Sequence, residues 1–195
     1  MGKKKAPSKQ TQMLQILVAL REGNVDAIKG HIAKGMDVNA PLLGAGTEPV
    51  LVVCEEGHAS ALALLLSSGA KLGVVDDEGA SPLFTAAANG HIDVMKLLVE
   101  KDAHIDVNKK NNAGQSPCWA AAAAGKTEAV RALVALGCDE KAPAKDGTTP
   151  HQAAQKGKHA AAAKLLAPPP PAVVVSEPSK ALDTAPQSNL LGCCG

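Results

Sequence analysis

Apolar and small residues recur along this chain in pairs of short segments, each at helical spacing and separated from its partner by a glycine. In the clearest pair, within residues 78–108, a run of small residues over 86–88 ends at Asn89 and Gly90. Glycine tolerates the positive φ of a helix end, so the first helix is predicted to stop there. The apolar residues that follow share one face of a second helix, and they are Ile92, Met95, Leu97, Leu98 and Val99. The pattern predicts a helix–turn–helix unit.

The start of this unit has its own signals, and they recur. Ser81 is suited to accept a hydrogen bond from a free amide of the first turn, and Pro82 to fill the first helical position. The matching prolines, spaced by 33, 35 and 33 residues, are Pro49, Pro82, Pro117 and Pro150. The matching glycines, spaced by 34, 33, 35 and 32 residues, are Gly23, Gly57, Gly90, Gly125 and Gly157. One unit cannot bury its own apolar stripe, so this period predicts a solenoid of stacked copies.

The repeated segments resemble the ankyrin repeat, whose pattern runs D-G-x-T-P-L-H-x-A-A-x-x-G-H before a leucine-rich second helix. The matching segments are SPLFTAAANGH (81–91), SPCWAAAAAGK (116–126), TTPHQAAQKGK (148–158) and EPVLVVCEEGH (48–58). The resemblance implies an all-α ankyrin-repeat solenoid of stacked helix–turn–helix units with β-turn finger loops over residues 12–167. The five units are predicted at 12–40, 41–75, 76–108, 109–141 and 142–167. They lie between a basic disordered arm (1–11) and a proline-rich extended tail (168–195).

Three positions depart from the repeating pattern in the middle of the chain. Asp102 stands where other units end in glycine. Glu48 replaces the threonine before the proline, which predicts a looser helix start because glutamate caps less well. The single interval of 35 residues between prolines predicts that two residues are inserted in the finger loop at 109–112.

The fifth unit departs further. Its glycine, Gly157, comes one residue early, and the apolar residues return to register if Lys158 fills the glycine position. The sequence leaves that choice open. Only Leu165 and Leu166 are large apolar residues in its second helix. Because a terminal repeat is held from one side only, residues 142–167 are predicted to open locally more readily than 76–108.

Composition narrows the class of protein. Aromatics make up 1% of the residues and the formal net charge is +1, which suits a stack of thin helices and offers no field to attract nucleic acid. The five cysteines show no C-x-x-C or zinc-ligand spacing, and no apolar run is long enough for a transmembrane helix. Residues 3–20 mimic a signal peptide, but Gln15 interrupts the apolar run. We therefore expect an intracellular, cytoplasmic protein, with a nuclear or membrane-associated location left open.

No group of residues in the sequence points to catalysis. It contains no G-x-S-x-G, H-E-x-x-H or P-loop motif. His58 and His91 occupy the G-H position of the repeat, which the resemblance makes a structural position. We expect a protein that is not an enzyme, with no cofactor, no metal and no small-molecule substrate.

By resemblance, such repeats bind protein partners with their finger loops and with the exposed side of their first helices, which together form a concave face. The corresponding residues here are Glu55, Glu56, Asp76, Asp77, Glu78, Asn89, Lys109, Lys110, Asn111, Asn112, Lys145 and Lys156. The acidic members precede the basic ones, and this two-signed pattern favours a polar protein partner over nucleic acid. A solvated surface is the plainer interpretation. The predicted function is a non-catalytic protein–protein interaction module acting as scaffold, adaptor or subunit of a larger assembly.

Two aromatic residues occupy the family's histidine position, one repeat apart. Phe84 cannot form the histidine's hydrogen bond, and Trp119 can only donate one. They are either packing residues or anchors for a partner, and packing is favoured because large aromatics are mostly buried.

Two alternative functions remain at this stage. The chain ends carry incomplete lipidation signals, at Gly2 and at Cys193 and Cys194, which with the lysines at 3–5 suggest a lipid-anchored membrane adaptor. The other alternative, by resemblance, is a stoichiometric inhibitor of an enzyme partner.

Overall fold

The computed structural model of the chain describes residues 8–44, 46–102 and 104–167. Within these ranges the chain forms ten α-helices and no strand. The helices are α1 (Lys9–Arg21), α2 (Val25–Ala33), α3 (Pro49–Glu56), α4 (Ala59–Ser67), α5 (Pro82–Asn89), α6 (Ile92–Lys101), α7 (Pro117–Ala123), α8 (Thr127–Ala135), α9 (Pro150–Lys156) and α10 (Ala160–Leu165).

The helices stack in two layers. The odd-numbered first helices contact one another in chain order from α1 to α9, and the even-numbered second helices do so from α2 to α10. Second helices supply large, fully buried side chains such as Leu62, Met95 and Leu98, whereas the first helices α5, α7 and α9 supply buried alanines such as Ala87 and Ala121. Because alanine is small, these three first helices can approach closely. The predicted all-α solenoid is confirmed.

The first helices begin as the sequence predicts. The Ser81 hydroxyl accepts a hydrogen bond from the Phe84 backbone N–H at 3.2 Å. Thr149 and Gln152 form a reciprocal capping box at the start of α9. Glu48 makes no capping hydrogen bond, so α3 lacks the side-chain acceptor that its counterparts have.

The turn between the two helices of each unit needs a left-handed residue, and the structure shows which residue takes it in the fifth. Gly57, Gly90 and Gly125 have φ values of 83°, 81° and 69°. In the fifth unit Lys158 has φ 60°, the one positive φ outside glycine in the described ranges, while Gly157 stays helical at −73°. Lys158 therefore fills the glycine position, which settles the register that the sequence left open.

Histidines after these glycines join neighbouring repeats. The Nε2–H of His58 donates to the carbonyl oxygen of Arg21 at 2.7 Å, and that of His91 donates to Glu55 at 2.8 Å. A Cβ at Gly57 would collide with the His91 ring. Glycine is therefore required there both by its φ and by the close approach of the next repeat.

The two extra residues of the third unit lie elsewhere than predicted. Helix α6 has 10 residues where α4 and α8 have 9. Asp102 leaves it in an extended conformation (φ −132°), whereas Gly69 and Gly137 end their units left-handed. A turn follows, in which the Ile105 N–H donates to the Asp102 carbonyl oxygen at 3.1 Å. The insertion is in this connection and not at 109–112, so that prediction was wrong.

The predicted N-terminal arm is also shorter than expected. Helix α1 begins at Lys9, and the Ser8 hydroxyl accepts a hydrogen bond from the Thr11 N–H at 3.2 Å. Disorder over 8–11 was therefore wrongly predicted, because Ser8 is an N-cap. The rest of the arm, residues 1–7, and the predicted tail, 168–195, lie outside the described residues.

Candidate functional site

Three finger turns project from the described part of the solenoid, before α5, α7 and α9. Each is closed by a backbone hydrogen bond from its first residue to its fifth: Asp76 to Ala80 at 3.1 Å, Asn111 to Gln115 at 3.0 Å and Ala144 to Thr148 at 2.9 Å. The turns are equal in length. The residues at their tips therefore correspond to one another, and they are Asp77 and Glu78, Asn112 and Ala113, and Lys145 and Asp146.

Two of the predicted contact residues shape these turns from within. The Asp76 carboxylate accepts the backbone N–H groups of Glu78 and Ala80 at 2.9 and 2.8 Å. Asn111 is buried, and its Oδ1 accepts the N–H groups of Ala113 and Gln115 at 3.1 and 3.0 Å. Their polar groups are thus engaged by the chain's own backbone, and a partner would meet the tip residues instead.

Neighbouring fingers are joined to one another. The Asn112 backbone N–H donates to the Glu78 carbonyl oxygen at 2.8 Å, and its Nδ2 donates to the Asp77 carbonyl oxygen at 3.2 Å. The Lys145 N–H donates to the Ala113 carbonyl oxygen at 3.0 Å. The tips of the third, fourth and fifth repeats are therefore held at fixed spacing before any partner arrives.

Lys109 and Lys110 lie at the base of a finger and not at its tip. Lys109 is half-buried. Lys110 is exposed, and its Nζ donates to the carbonyl oxygen of Pro143 at 3.0 Å, across to the fifth repeat. Lys110 therefore contributes to the contact between the last two repeats, which sequence reasoning did not foresee.

The other predicted residues lie at the ends of the first helices, and all are exposed: Glu55, Glu56, Asn89 and Lys156. The Glu56 carboxylate lies 3.7 Å from the guanidinium Nε of Arg21 in the preceding repeat. The Asn89 Nδ2 donates to the carbonyl oxygen of Thr85 within the same helix at 3.0 Å. Finger tips precede the first helices and these residues end them, so the two sets follow opposite edges of the first-helix layer.

Acidic and basic residues are separated along both edges of the first-helix layer. We call the exposed residues of the two sets that were predicted from sequence as partner contacts the charged strip, which comprises Glu55, Glu56, Asp77, Glu78, Asn89, Asn112, Lys145 and Lys156. Its acidic members belong to the second and third repeats, its amides to the third and fourth, and its lysines to the fourth-to-fifth junction and α9. One carboxylate, Asp146, lies at the basic end, and hydrogen bonds from Thr148 hold its pKa below the usual value.

The two aromatic residues pack between repeats. Phe84 is buried against Ala80 and Ala120. Trp119 is half-buried, and its Nε1–H donates to both the carbonyl oxygen and the hydroxyl of Thr148, at 3.2 and 3.1 Å. Trp119 therefore ties the fourth repeat to the start of α9, in keeping with the packing interpretation of both residues.

An apolar surface at the N-terminal end was missed at the sequence level. Leu14 and Val18, one helical turn apart on α1, are 48% and 53% exposed. A separate groove of about 560 Å³ runs between α1 and the segment after α2, with Met13 and Met36 among its lining. In the described part of the chain α1 is the first helix, so no described repeat covers its outer side.

The described ranges also bear on metal binding and on membrane spanning, whereas the predicted lipidation residues fall outside them. No group of three or more His, Cys, Asp or Glu residues there is arranged to hold a metal ion. None of the helices in 8–44, 46–102 and 104–167 has the length and apolarity needed to cross a bilayer. The predicted lipidation residues Gly2, Cys193 and Cys194 lie outside the described residues.

Comparisons with known proteins agree with this architecture. A family model described as "Ankyrin repeats (3 copies)" matches residues 16–111. Ankyrin repeat domain-containing protein 37 of Bos taurus is 35% identical over 114 residues, which cover 58% of this chain and 71% of that protein. The Homo sapiens protein of that name is 34% identical over 114 residues, which again cover 58% of this chain and 71% of that protein. Protein phosphatase 1 regulatory subunit 12A of Mus musculus is 42% identical over 78 residues, 40% of this chain and 7% of that protein.

Proposed function

Because the chain belongs to the ankyrin repeat family, we propose that it is a non-catalytic scaffold, adaptor or subunit that binds a protein partner along its charged strip. Ankyrin repeats are protein-interaction modules. The proposal adds where this chain binds and which chemistry it selects: a partner segment with basic groups facing the second and third repeats and acidic groups facing the fifth.

The proposal rests on one observation: acidic and basic side chains are separated along a row of fingers whose backbones are hydrogen-bonded to one another. Acidic Asp77 and Glu78 and basic Lys145 are exposed on fingers whose backbones are bonded through Asn112 and Ala113. A surface already held in place loses little conformational entropy on binding. Complementary charges also raise the rate of encounter and fix the orientation of the partner.

One of the similar proteins supports a subunit role for this chain in general terms. Protein phosphatase 1 regulatory subunit 12A is by its name a regulatory subunit of an enzyme, and the similarity covers 40% of this chain. This favours a protein that acts by holding or directing another protein.

The test is affinity capture followed by measured affinity with the captured protein. One variant reverses the acidic end (Glu55→Lys with Glu78→Lys) and a second reverses the basic end (Lys145→Glu with Lys156→Glu). Each is expected to weaken binding at least about tenfold, which corresponds to about 1.4 kcal/mol. These positions are exposed, so the melting temperature should stay close to that of the native protein.

The matched control reverses charge on the second helices, away from the strip. Lys29→Glu with Lys96→Glu changes two exposed lysines of α2 and α6. It should leave binding unchanged. If the control weakens binding as much as the strip variants, or if neither strip variant does, the partner binds elsewhere on the solenoid.

A further inference from the structure

The first helix of the described solenoid, α1, is longer than the other first helices. Helices α3, α5, α7 and α9 each begin eight residues before the left-handed residue of their turn, whereas Lys9 begins α1 fourteen residues before Gly23. The extra residues, 9–14, include neither proline nor glycine, so they favour continuation of the helix. Their side chains therefore have no counterpart in the other repeats that the structure describes.

This longer helix forms one wall of the groove of about 560 Å³ between α1 and the segment after α2. Its apolar lining comes from Met13 and Ile16 on α1 and from Met36 and Leu42 on the facing segment. Met13, Ile16 and Met36 are only half-buried, so part of each side chain remains open to solvent. Since an apolar cavity of about 150 Å³ holds one benzene-sized group, the groove has room for about three large apolar side chains.

The charged side chains that line the groove give it a positive balance. Lys9 on α1 and Lys34 on the facing segment are exposed, and neither forms an ion pair with any residue that the structure describes. Asp37 is the single carboxylate of the lining, and it already accepts the backbone N–H of Asn39 at 2.9 Å. An occupant that carries carboxylates beside its apolar groups would therefore complement the groove in both respects.

We propose that this groove binds an acidic amphipathic helix of a protein partner. Apolar side chains spaced i, i+4 and i+7 on that helix enter the groove, and carboxylates beside them contact Lys9 and Lys34. Met13 and Met36 have flexible, unbranched side chains, which lets the groove fit apolar groups of different shapes. No residue of the charged strip lines the groove, so this proposal is independent of the proposed function.

A helix suits the groove better than an extended segment does. A helix satisfies its own backbone N–H and C=O groups, whereas an extended segment pressed against apolar walls would lose water from these groups without gaining partners. The described residues contain no strand whose edge could supply such partners. A helix also places carboxylates on both sides of one apolar stripe, as lysines on the two walls require.

The test uses a synthetic peptide of about 15 residues as its probe, blocked at both ends, with leucines at the i, i+4 and i+7 spacing and glutamates on both sides. A matched control peptide has lysine in place of every glutamate. Each peptide is titrated into the full-length protein, whose methionine methyl groups are isotope-labelled for NMR. Met13 and Met36 line the groove, and the fully buried Met95 of the third repeat reports changes elsewhere.

The glutamate peptide should shift the methyl resonances of Met13 and Met36 and leave that of Met95 in place. The lysine peptide should bind at least about tenfold more weakly. Met13→Gln keeps a long, unbranched side chain but makes it polar, and it should weaken binding of the glutamate peptide.

The charge-reversed variant is Lys9→Glu with Lys34→Glu, at two exposed positions, so the melting temperature should stay close to the native value. This variant should bind the glutamate peptide at least about tenfold more weakly and should bind the lysine peptide more tightly than the native protein does. The matched control, Lys29→Glu with Lys96→Glu, reverses two exposed lysines that do not line the groove. It should leave both affinities nearly unchanged.

The proposal is overturned if the two peptides bind equally, or if neither shifts the Met13 and Met36 resonances. It is also overturned if the groove already has another occupant. Resonances of Met13 and Met36 that move on dilution of the peptide-free protein would assign the groove to a second copy of the chain. Resonances that move in Leu190→Ser with Leu191→Ser, again without peptide, would assign it to the chain's own C-terminal segment.

Discussion

The third and fifth repeats have the same backbone arrangement, but the residues of the third fit its turn and core much better than those of the fifth. The third repeat has Gly90 at its left-handed turn and Leu98 fully buried, with a repeat on either side. The fifth repeat has Lys158 at that turn, and its second helix α10 has only six residues. Both turns nevertheless carry the same backbone hydrogen bond, from His91 to Ala86 at 2.9 Å and from His159 to Ala154 at 2.8 Å.

The fifth repeat, the last one that the structure describes, is also more polar than the third. His151 occupies the position where the third repeat has the fully buried Leu83. It is half-buried, and its Nδ1 is bonded to the Ala163 carbonyl oxygen at 2.9 Å. Terminal repeats with a polar outer face are what a solenoid needs to stay in solution. The comparison teaches that neighbouring repeats can hold a repeat in register even where its own residues fit the turn poorly.

The largest expected effect comes from removing core volume in the third repeat. Leu98→Ala should lower the free energy of unfolding by about 2–5 kcal/mol, because Leu98 is fully buried between repeats. Leu165→Ala should lower the free energy of unfolding clearly less, since Leu165 is half-buried in α10. Denaturant unfolding measures both.

The matched control for that prediction is Leu97→Ala, on the same helix but half-buried. Leu97→Ala should lower the free energy of unfolding by less than Leu98→Ala does. If Leu165→Ala costs as much as Leu98→Ala, the fifth repeat is not the weaker of the two.

A smaller effect is expected from Trp119→Phe, which keeps an aromatic ring but removes the N–H that bonds Thr148. Losing that bond should cost about 0.5–1.5 kcal/mol. The loss should be local, so amide exchange should quicken over 148–156 and remain unchanged over 82–98. Equal acceleration in both ranges would mean that the indole does not act on the fifth repeat in particular.

The smallest expected change is a gain in stability. Lys158→Gly removes a left-handed lysine, which costs about 1–2 kcal/mol, and adds the entropy cost of glycine, about 0.5–1 kcal/mol. The net stabilisation should be roughly 0.5–1 kcal/mol, seen as a higher melting temperature.

Lys156→Gly is the control for that substitution, because Lys156 is helical in α9. It should destabilise the protein by about 1 kcal/mol. Destabilisation by Lys158→Gly as well would show that the lysine side chain contributes more than its backbone strain costs.

The architecture was accessible from sequence because its signals are local and repeated. Ser81 and Pro82 start a helix through their own chemistry, and recurring glycines end it, so the stack follows from a pattern seen several times over. The fifth turn was different. Gly157 and Lys158 are adjacent candidates, and the choice depends on hydrogen bonds made by residues further along the chain.

The candidate site was less accessible because its details depend on contacts between repeats. Asn111 reads as an exposed polar loop residue, yet the turn buries its side chain. Lys110 reads as a free charge, yet it reaches the Pro143 carbonyl oxygen 33 residues away. The extra residues near Asp102 were assigned to the wrong loop because spacing gives the length of an insertion and not its place.

The hydrogen bonds between neighbouring finger tips have a mechanical consequence. Asn112 and Lys145 couple each tip to the one before it, so a single tip cannot swing outward alone without breaking a bond. A partner of mismatched length must therefore bend the whole row, sharing the distortion among several repeats as in an elastic ribbon. Such a row can adapt to small differences in shape that are spread along a partner's surface, but it resists displacement of one tip by a single protruding group.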